Sequence, residues 1–459
     1  MADKNTAPDS LQRGLSKRHV TMIAIGGTIG TGLFLGAGDS ISLTGPSILF
    51  VYLLTGIFLY IMMRAIGELL YADPDNNSFV SFVSKYLGPG AGHFVGWSYW
   101  ITLILPAMAE LTAIGKYVQF WLPTVPAWLI EIVVMLLLVG VNLVAVKFFG
   151  EAEFWFSSIK IIAILGIIIT GILMMITGFK TPGVHGGVVS FANITHHFQL
   201  FPNGGMNFMM AFPMVFFAFV GIEFVGLMSA ETKNPREVMP KVINTVLFRI
   251  LVFYVGALAI IMSIYDWHYL PADQSPFVFI FKLIGIDWAA ALLNFVVLTA
   301  AMSALNTLIY SAGRDVYALA LENTGKWQDY FKRLSTKAIP ARAILFSAIL
   351  IMLTPVINAL PIFESAFNFF ASATAAITLV IYSLIMIAHR KYRASVDFIE
   401  DGFKMPFYKV ASPLTLLFFL FIFGTLFLDK TDTIAALGGI AWTVGYGWYS
   451  HKKYGMKFN

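Results

Sequence analysis

Gly26-Gly27-Thr28-Ile29-Gly30-Thr31-Gly32 lies in the middle of an apolar run near residues 20 to 38. Each of its four glycines weakens a helix interior by roughly 1 kcal/mol relative to alanine, so a helix entering this stretch is expected to break. In hydrocarbon, the backbone groups freed by a break are tolerated only where they line a cavity or meet a ligand. A broken helix presents a helix N-terminus to a carboxylate and a helix C-terminus to an ammonium, which suits both ends of a zwitterion. Isolated Gly-xxx-Gly pairs more often mark close helix packing. Here the density of glycines and their mid-span position favour a break. A phosphate loop is excluded, because no strand precedes the glycines and no Gly-Lys-Ser/Thr follows them.

Working outward, the same apolar character covers almost the whole chain. Of 459 residues, 58% are hydrophobic and 12% charged, against roughly 25% charged in a soluble domain. Runs long enough to cross a hydrocarbon core of about 30 Å recur to the end. They lie near 20 to 38, 46 to 70, 94 to 121, 127 to 146, 154 to 177 and 207 to 229, then 243 to 264, 287 to 312, 343 to 359, 365 to 387, 411 to 428 and 433 to 449. The expectation is an all-α membrane protein with twelve transmembrane helices. Residues 1 to 18 form an N-terminal tail, 19 to 450 one transmembrane domain, and 451 to 459 a C-terminal tail. The N-terminal stretch lacks a small-residue cleavage site and reads as a tail, not a signal peptide. The loops 71 to 93 and 313 to 342 have room for short interfacial helices.

With the N-terminus placed inside, 24 of the 30 Lys and Arg residues fall in inner loops and tails; Lys116, Lys180, Lys282 and Lys430 fall outside. The positive-inside rule then puts both termini in the cytoplasm and assigns the net charge of +5 to topology, not to nucleic acid. There is no cysteine, so disulfides and thiolate chemistry are excluded. His196 and His197 have no Cys or carboxylate at ligand spacing, and no metal or cofactor is expected. Asn193-Ile194-Thr195 and Asn76-Asn77-Ser78 match the glycosylation pattern, which arises often by chance.

The sixth span carries a second interruption, Phe217-Ala218-Phe219-Val220-Gly221-Ile222-Glu223, a glycine followed by an intramembrane acid. Two interrupted helices five spans apart are the trace left by inverted five-helix repeats with a site between them at the midplane.

Three stretches carry a family resemblance: the run from Arg18-His19-Val20 to Phe34, the Ala218 to Glu223 core, and Ala230-Glu231-Thr232-Lys233-Asn234-Pro235-Arg236 before Pro240. They resemble the amino acid permeases of the amino acid/polyamine/organocation superfamily, over nearly the whole chain. Ile41-Ser42-Leu43-Thr44-Gly45-Pro46-Ser47-Ile48 and Asn294-Phe295-Val296-Val297-Leu298-Thr299 are most similar to the bacterial D-serine/D-alanine/glycine group. The resemblance implies a 5+5 inverted-repeat core of the leucine-transporter type plus two C-terminal helices. It also implies secondary transport of amino acids with protons across the plasma membrane.

An ionisable side chain inside a span disfavours insertion by about 2.5 to 3.5 kcal/mol and marks function by default. Lys160 is the first such residue; the resemblance matches it to a fifth-helix lysine that replaces a sodium ion in proton-coupled relatives, while snorkelling to the interface is the bland reading. Glu223 and Glu110 are the acidic candidates, for pairing with the substrate ammonium, for proton relay, or merely for joining helices. Ser303 and Asn306 are candidates for hydrogen bonds to Lys160 or to the broken first helix. The expected substrate site is Thr28, Ile29, Gly30, Thr31 and Gly32 with Phe217, Ala218, Phe219 and Gly221, Phe217 being a candidate gate. The partners are an amino acid, protons and the bilayer. A compact neutral side chain, in the glycine, alanine and serine class, fits the small residues around the breaks. Exchange of one amino acid for another, and transport of larger or aromatic amino acids, remain open alternatives. No His-Glu-xx-His or Gly-x-Ser-x-Gly is present to support an enzyme.

Overall fold

The computed structural model describes residues 29 to 457 apart from 75–77, 145–148, 183–185, 197, 224–234, 323–324, 336–338 and 361–364. The architecture is helical throughout the described residues, with a single antiparallel bridge between Lys180 and Val188. The described helices on which the site depends are α1 (Thr31–Phe34), α2 (Gly36–Thr44), α3 (Ile48–Ala72), α4 (Phe79–Leu87), α5 (Pro89–Gln119), α6 (Ala127–Val144) and α7 (Phe149–Ile176). They continue with α8 (Gly205–Met210), α9 (Phe212–Phe217), α10 (Pro235–Arg249), α11 (Ala257–Ile264), α12 (Asp287–Leu321), α13 (Ala341–Ile351), α14 (Ala366–Arg393), α15 (Tyr408–Thr425) and α16 (Lys430–Tyr454). Eight helical segments among these residues are long and apolar enough to cross a bilayer, and 127–143 and 205–217 are shorter apolar helices.

The centre of the bundle is α5, packed most extensively against α12 and α14. Burial separates inner from outer helices. The apolar windows of α5 and α14 are 78% buried, whereas that of α7 is 28% buried. On α7, Ile162, Ile169, Leu173 and Ile176 are exposed large apolar side chains. A soluble protein does not leave such a stripe in water; a helix facing lipid requires it.

Several boundaries differ from the sequence expectation for identifiable reasons. The first two spans are nearly continuous, because residues 39 to 44 stay helical and Gly45-Pro46-Ser47 adds one tight 3-10 turn before α3. At Gly45, φ is +55° and an added Cβ would lie 2.8 Å from the Trp267 ring, so only glycine fits there. The seventh span contains a π-helical stretch, Ile250–Gly256, that apolar periodicity does not reveal. The loop after α3 does hold a short helix, α4, whose N-cap Ser78 accepts a hydrogen bond from the Val80 N–H at 3.2 Å.

One end of the bundle is fastened by a buried carboxylate. Glu68 Oε2 lies 3.0 Å from His389 Nε2 and accepts from Arg393 Nη2 and the Met405 N–H, both at 2.8 Å. The C-terminal residues dock at this end, the Gly90 N–H donating to the Gly455 carbonyl at 2.7 Å. Lys391 Nζ also reaches the Lys457 carbonyl at 2.8 Å.

Candidate functional site

At the first expected interruption the described residues show a helix start and at the sixth a helix end; Gly26 to Thr28 and residues 224 to 234, on the far side of each, lie outside the described residues. Gly30 is extended (φ −128°, ψ −158°), and helical hydrogen bonding begins only with the Leu33 and Phe34 N–H groups reaching the Gly30 carbonyl. The N–H groups of the first turn therefore have no partner within their own helix. One of them, Thr31 N–H, donates to Glu110 Oε1 at 3.2 Å, so a carboxylate from α5 sits on the start of α1. Contact is close enough that a Cβ at Gly30 would come within 2.6 Å of the same oxygen.

In the sixth span, α9 ends at Phe217 and residues 218 to 223 continue as irregular turns. Gly221 has φ +95°, a left-handed conformation that strains any side-chain-bearing residue. Its N–H donates to Glu223 Oε2 at 3.0 Å, two residues along the chain, and Tyr382 Oη donates to the same oxygen at 2.5 Å. The Ala218 carbonyl, released by the break, accepts from Tyr254 Oη at 3.1 Å. The two interruptions touch, since a Cβ on Gly32 would lie 2.6 Å from Ala218 Cα.

Between them lies a cavity of about 50 Å³ lined by Gly30, Gly32, Glu110, Glu153, Gly221 and Glu223, with Phe217 among its walls. A water needs roughly 10 to 15 Å³ measured this way, so the cavity has room for a few water-sized groups. Its chemistry is concentrated: three carboxylates, an occupied helix start and the glycine backbones.

The remaining expected residues fall into three groups. Gly30, Gly32, Phe217, Ala218, Gly221, Glu110 and Glu223 line the cavity. Ile29, Thr31 and Lys160 are buried without lining it, and Phe219 turns away to stack on Tyr254 at 4.6 Å. Thr28 lies outside the described residues, as do Gly26 and Gly27. Lys160 is 1% exposed and the opposite charges it faces are Glu153 and Glu110, so it sits inside the bundle and not at an interface.

Ser303 and Asn306 each make a hydrogen bond to a side chain outside the expected set. Ser303 Oγ donates to Glu153 Oε2 at 2.6 Å, and Asn306 Oδ1 accepts from Asn142 Nδ2 at 2.7 Å. The reason is Glu153, which sequence reasoning passed over. It is 3% exposed, lines the cavity and also accepts from Thr307 Oγ1 at 3.3 Å. The available signal was its spacing, seven residues before Lys160, which returns to the same helix face after two turns.

The chain can now be set beside known proteins. The sequence model of the amino acid permease family matches residues 19–451. A serine permease of Lactococcus lactis subsp. cremoris is 49% identical over 96% of this chain and 97% of its own length. A DL-alanine permease of the same organism is 48% identical over 98% of this chain and 97% of its own. The D-serine/D-alanine/glycine transporter of Escherichia coli K12 is 40% identical, covering 97% and 95%. These relatives are transporters and not enzymes, and with the long apolar helices they make this a multi-pass membrane protein. The chain belongs to the amino acid permease family.

Proposed function

We propose that this protein carries small neutral amino acids, in the glycine, alanine and serine class, across the plasma membrane together with protons, by alternating access about the cavity between the two breaks. The observation that carries the reading is Glu110 Oε1 on the Thr31 N–H. The first break already holds a carboxylate, and a substrate carboxylate has the chemistry to take its place. When Glu110 accepts a proton, its hold on the Thr31 N–H weakens and the site is released to the substrate; when the substrate leaves, Glu110 returns. The ammonium end is assigned to the backbone carbonyls of the sixth break and to Glu223. Lys160, facing Glu153 and Glu110 from inside the bundle, is assigned the balancing charge of the cycle.

Size selection follows from the contact of Gly32 with Ala218, which leaves little room for a bulky side chain. The substrates named for the relatives fall in the same class: serine, DL-alanine, and D-serine, D-alanine and glycine. The twelve-helix arrangement with a repeated five-helix core is part of this proposal. So is the cytoplasmic placement of both termini, supported by the basic Lys391 donating to the Lys457 carbonyl of the C-terminal residues.

Uptake of a labelled amino acid panel into proteoliposomes, with and without an imposed pH gradient, tests the reading. Saturable alanine and serine uptake that the gradient drives above equilibrium is expected. In Lys160→Ala, gradient-driven accumulation is expected to disappear. Counterflow with no pH dependence would leave exchange and remove the proton; gradient-driven accumulation unchanged in Lys160→Ala would remove that residue from the mechanism.

A further inference from the structure

A proton carried with the substrate must leave the site as well as enter it. Glu110 and Glu223 line the cavity between the breaks but are only 5% and 3% exposed, so a proton held there needs a path to water.

The helix pair α5 and α12 supplies the direction. A Cβ on Gly96 would meet Leu319 Cδ2 at 2.6 Å near one end of the pair, and Asn294 Nδ2 donates to the Tyr117 carbonyl at 2.9 Å near the other. The two helices are therefore antiparallel. Tyr99 stands one turn in from Gly96 on α5, and Asp315 one turn in from Leu319 on α12, which sets them level on facing helices. Tyr99 faces both Glu223 and Asp315. This is also the end of α5 at which the C-terminal residues dock, through Gly90.

Neither group is answered. Tyr99 is 4% exposed and its Oη has no hydrogen-bond partner among the described residues, and the same holds for the buried Asp315 Oδ2. Polar atoms left so are unfavourable, and a carboxylate within a span marks function by default. The Tyr99 ring is fixed edge to face against Phe79 of α4, with centroids 4.9 Å apart, which leaves the hydroxyl as the part free to turn. On the cavity side, Tyr382 faces Tyr99 and its Oη donates to Glu223 Oε2 at 2.5 Å. On the other side, Glu322 lies two turns beyond Asp315 on the same helix face and is exposed. The nearby basic side chains point to rings, Arg314 over Tyr310 at 4.2 Å and Arg342 over Tyr330 at 4.4 Å. The titratable groups facing Asp315 are thus Tyr99 from α5 and Glu322 from its own helix.

We propose that Asp315 is the inner proton acceptor of the transport cycle, taking a proton from Glu223 through the hydroxyls of Tyr382 and Tyr99 and passing it by Glu322 to water. The inference rests on the transport reading above and adds the exit to it. Each hydroxyl accepts one proton as it hands its own on, so both end as they began. Glu223 ends as the carboxylate and Asp315 as the acid, until Asp315 gives the proton up at the end of α12.

The test compares wild type, Asp315→Asn, Asp315→Glu and Tyr99→Phe, each as the full chain in proteoliposomes. Gradient-driven alanine accumulation and alanine exchange at equal concentrations are measured, together with alanine-dependent proton entry reported by a pH-sensitive dye in the lumen. Asp315→Asn and Tyr99→Phe should lose accumulation and proton entry while exchange continues at the wild-type rate; Asp315→Glu should recover both. Wild-type accumulation and proton entry in Asp315→Asn overturn the inference and leave the transport reading standing. Exchange falling in step with accumulation in Asp315→Asn also overturns it, because a merely structural role would move both. Should Asp315→Asn fail to fold, Tyr99→Phe removes only a hydroxyl, and unchanged proton entry in that variant overturns the relay. No gradient-driven accumulation by the wild type overturns the proton-coupled reading and this inference with it.

Discussion

The two interrupted segments solve the same problem in different ways. At the first, the open helix start is answered from a distance: Glu110 reaches Thr31 N–H from 79 residues along the chain, on a different helix. At the sixth, the answer is local. Glu223 satisfies the N–H of Gly221 two residues away, and Tyr382 and Tyr254 fix the carboxylate and the Ala218 carbonyl from outside. A contact between separate helices is broken by a small relative movement, whereas a turn that closes on itself and is buttressed by two tyrosines moves as one body. On the proposed function, the first segment is the exchangeable half of the site and the sixth the pre-formed half.

The largest effect is expected where the two halves touch. Gly32→Val places side-chain atoms against the Ala218 backbone, which cannot withdraw without parting the segments. Alanine uptake should fall to background while the protein still reaches the membrane, as checked by size-exclusion chromatography of the purified variant.

A sharper division comes from the two acids. Glu110→Gln removes the charge that competes with substrate at the first break, so gradient-driven accumulation should be lost while exchange at equal concentrations persists. Glu223→Gln should instead weaken alanine binding, because the oxygen that organises Gly221 changes character. If the two variants give the same kinetic pattern, the distinction between an exchangeable and a pre-formed half fails.

Smaller effects follow at the buttress. Tyr382→Phe removes a hydrogen bond to a carboxylate, worth about 1.5 to 3 kcal/mol, and Tyr254→Phe removes one to a neutral carbonyl, worth about 0.5 to 1.5 kcal/mol. Thermal melting in detergent should rank them in that order, and a reversed order would mean that the carboxylate is not what holds the sixth break.

The smallest effect is expected far from both. Between α4 and the segment after α14, Lys85 Nζ lies 3.0 Å from Asp397 Oδ2. The hydrogen bond from Lys85 holds the exposed Asp397 carboxyl below the usual carboxylate range, and the same bond raises Lys85. The Asp397 contribution is present above the unfolded value of about 3.9 and fades as pH falls through the lower folded value. The Lys85 contribution is complete below about 10.4 and fades as pH rises through the higher folded value. The melting difference between wild type and Asp397→Asn should thus be small and flat from about pH 5 to pH 9. A slope within that window would contradict the pairing.

What the sequence disclosed, it disclosed through local energetics. The extended Gly30 and the left-handed Gly221 stand where glycine predicts that a helix stops, because glycine disfavours a helix wherever it stands, and apolar length announces spans for the same context-free reason. The π-helical stretch at Ile250–Gly256 is invisible to such reasoning, since its residues are uniformly apolar and nothing in their order favours one hydrogen-bond register. The partners of the site are equally hidden. That Glu110 belongs to Thr31, Tyr382 to Glu223 and Ser303 to Glu153 depends on which helices become neighbours, and no local spacing encodes that. Glu153 was the accessible omission, because it shares a helix face with Lys160 in an apolar run where neither charge belongs by default.

The central claim is that the two breaks together form the amino acid site. Equilibrium binding of labelled alanine to purified wild-type protein and to Gly32→Val measures it directly. The account predicts saturable binding by the wild type that Gly32→Val abolishes; equal binding in the two would contradict it.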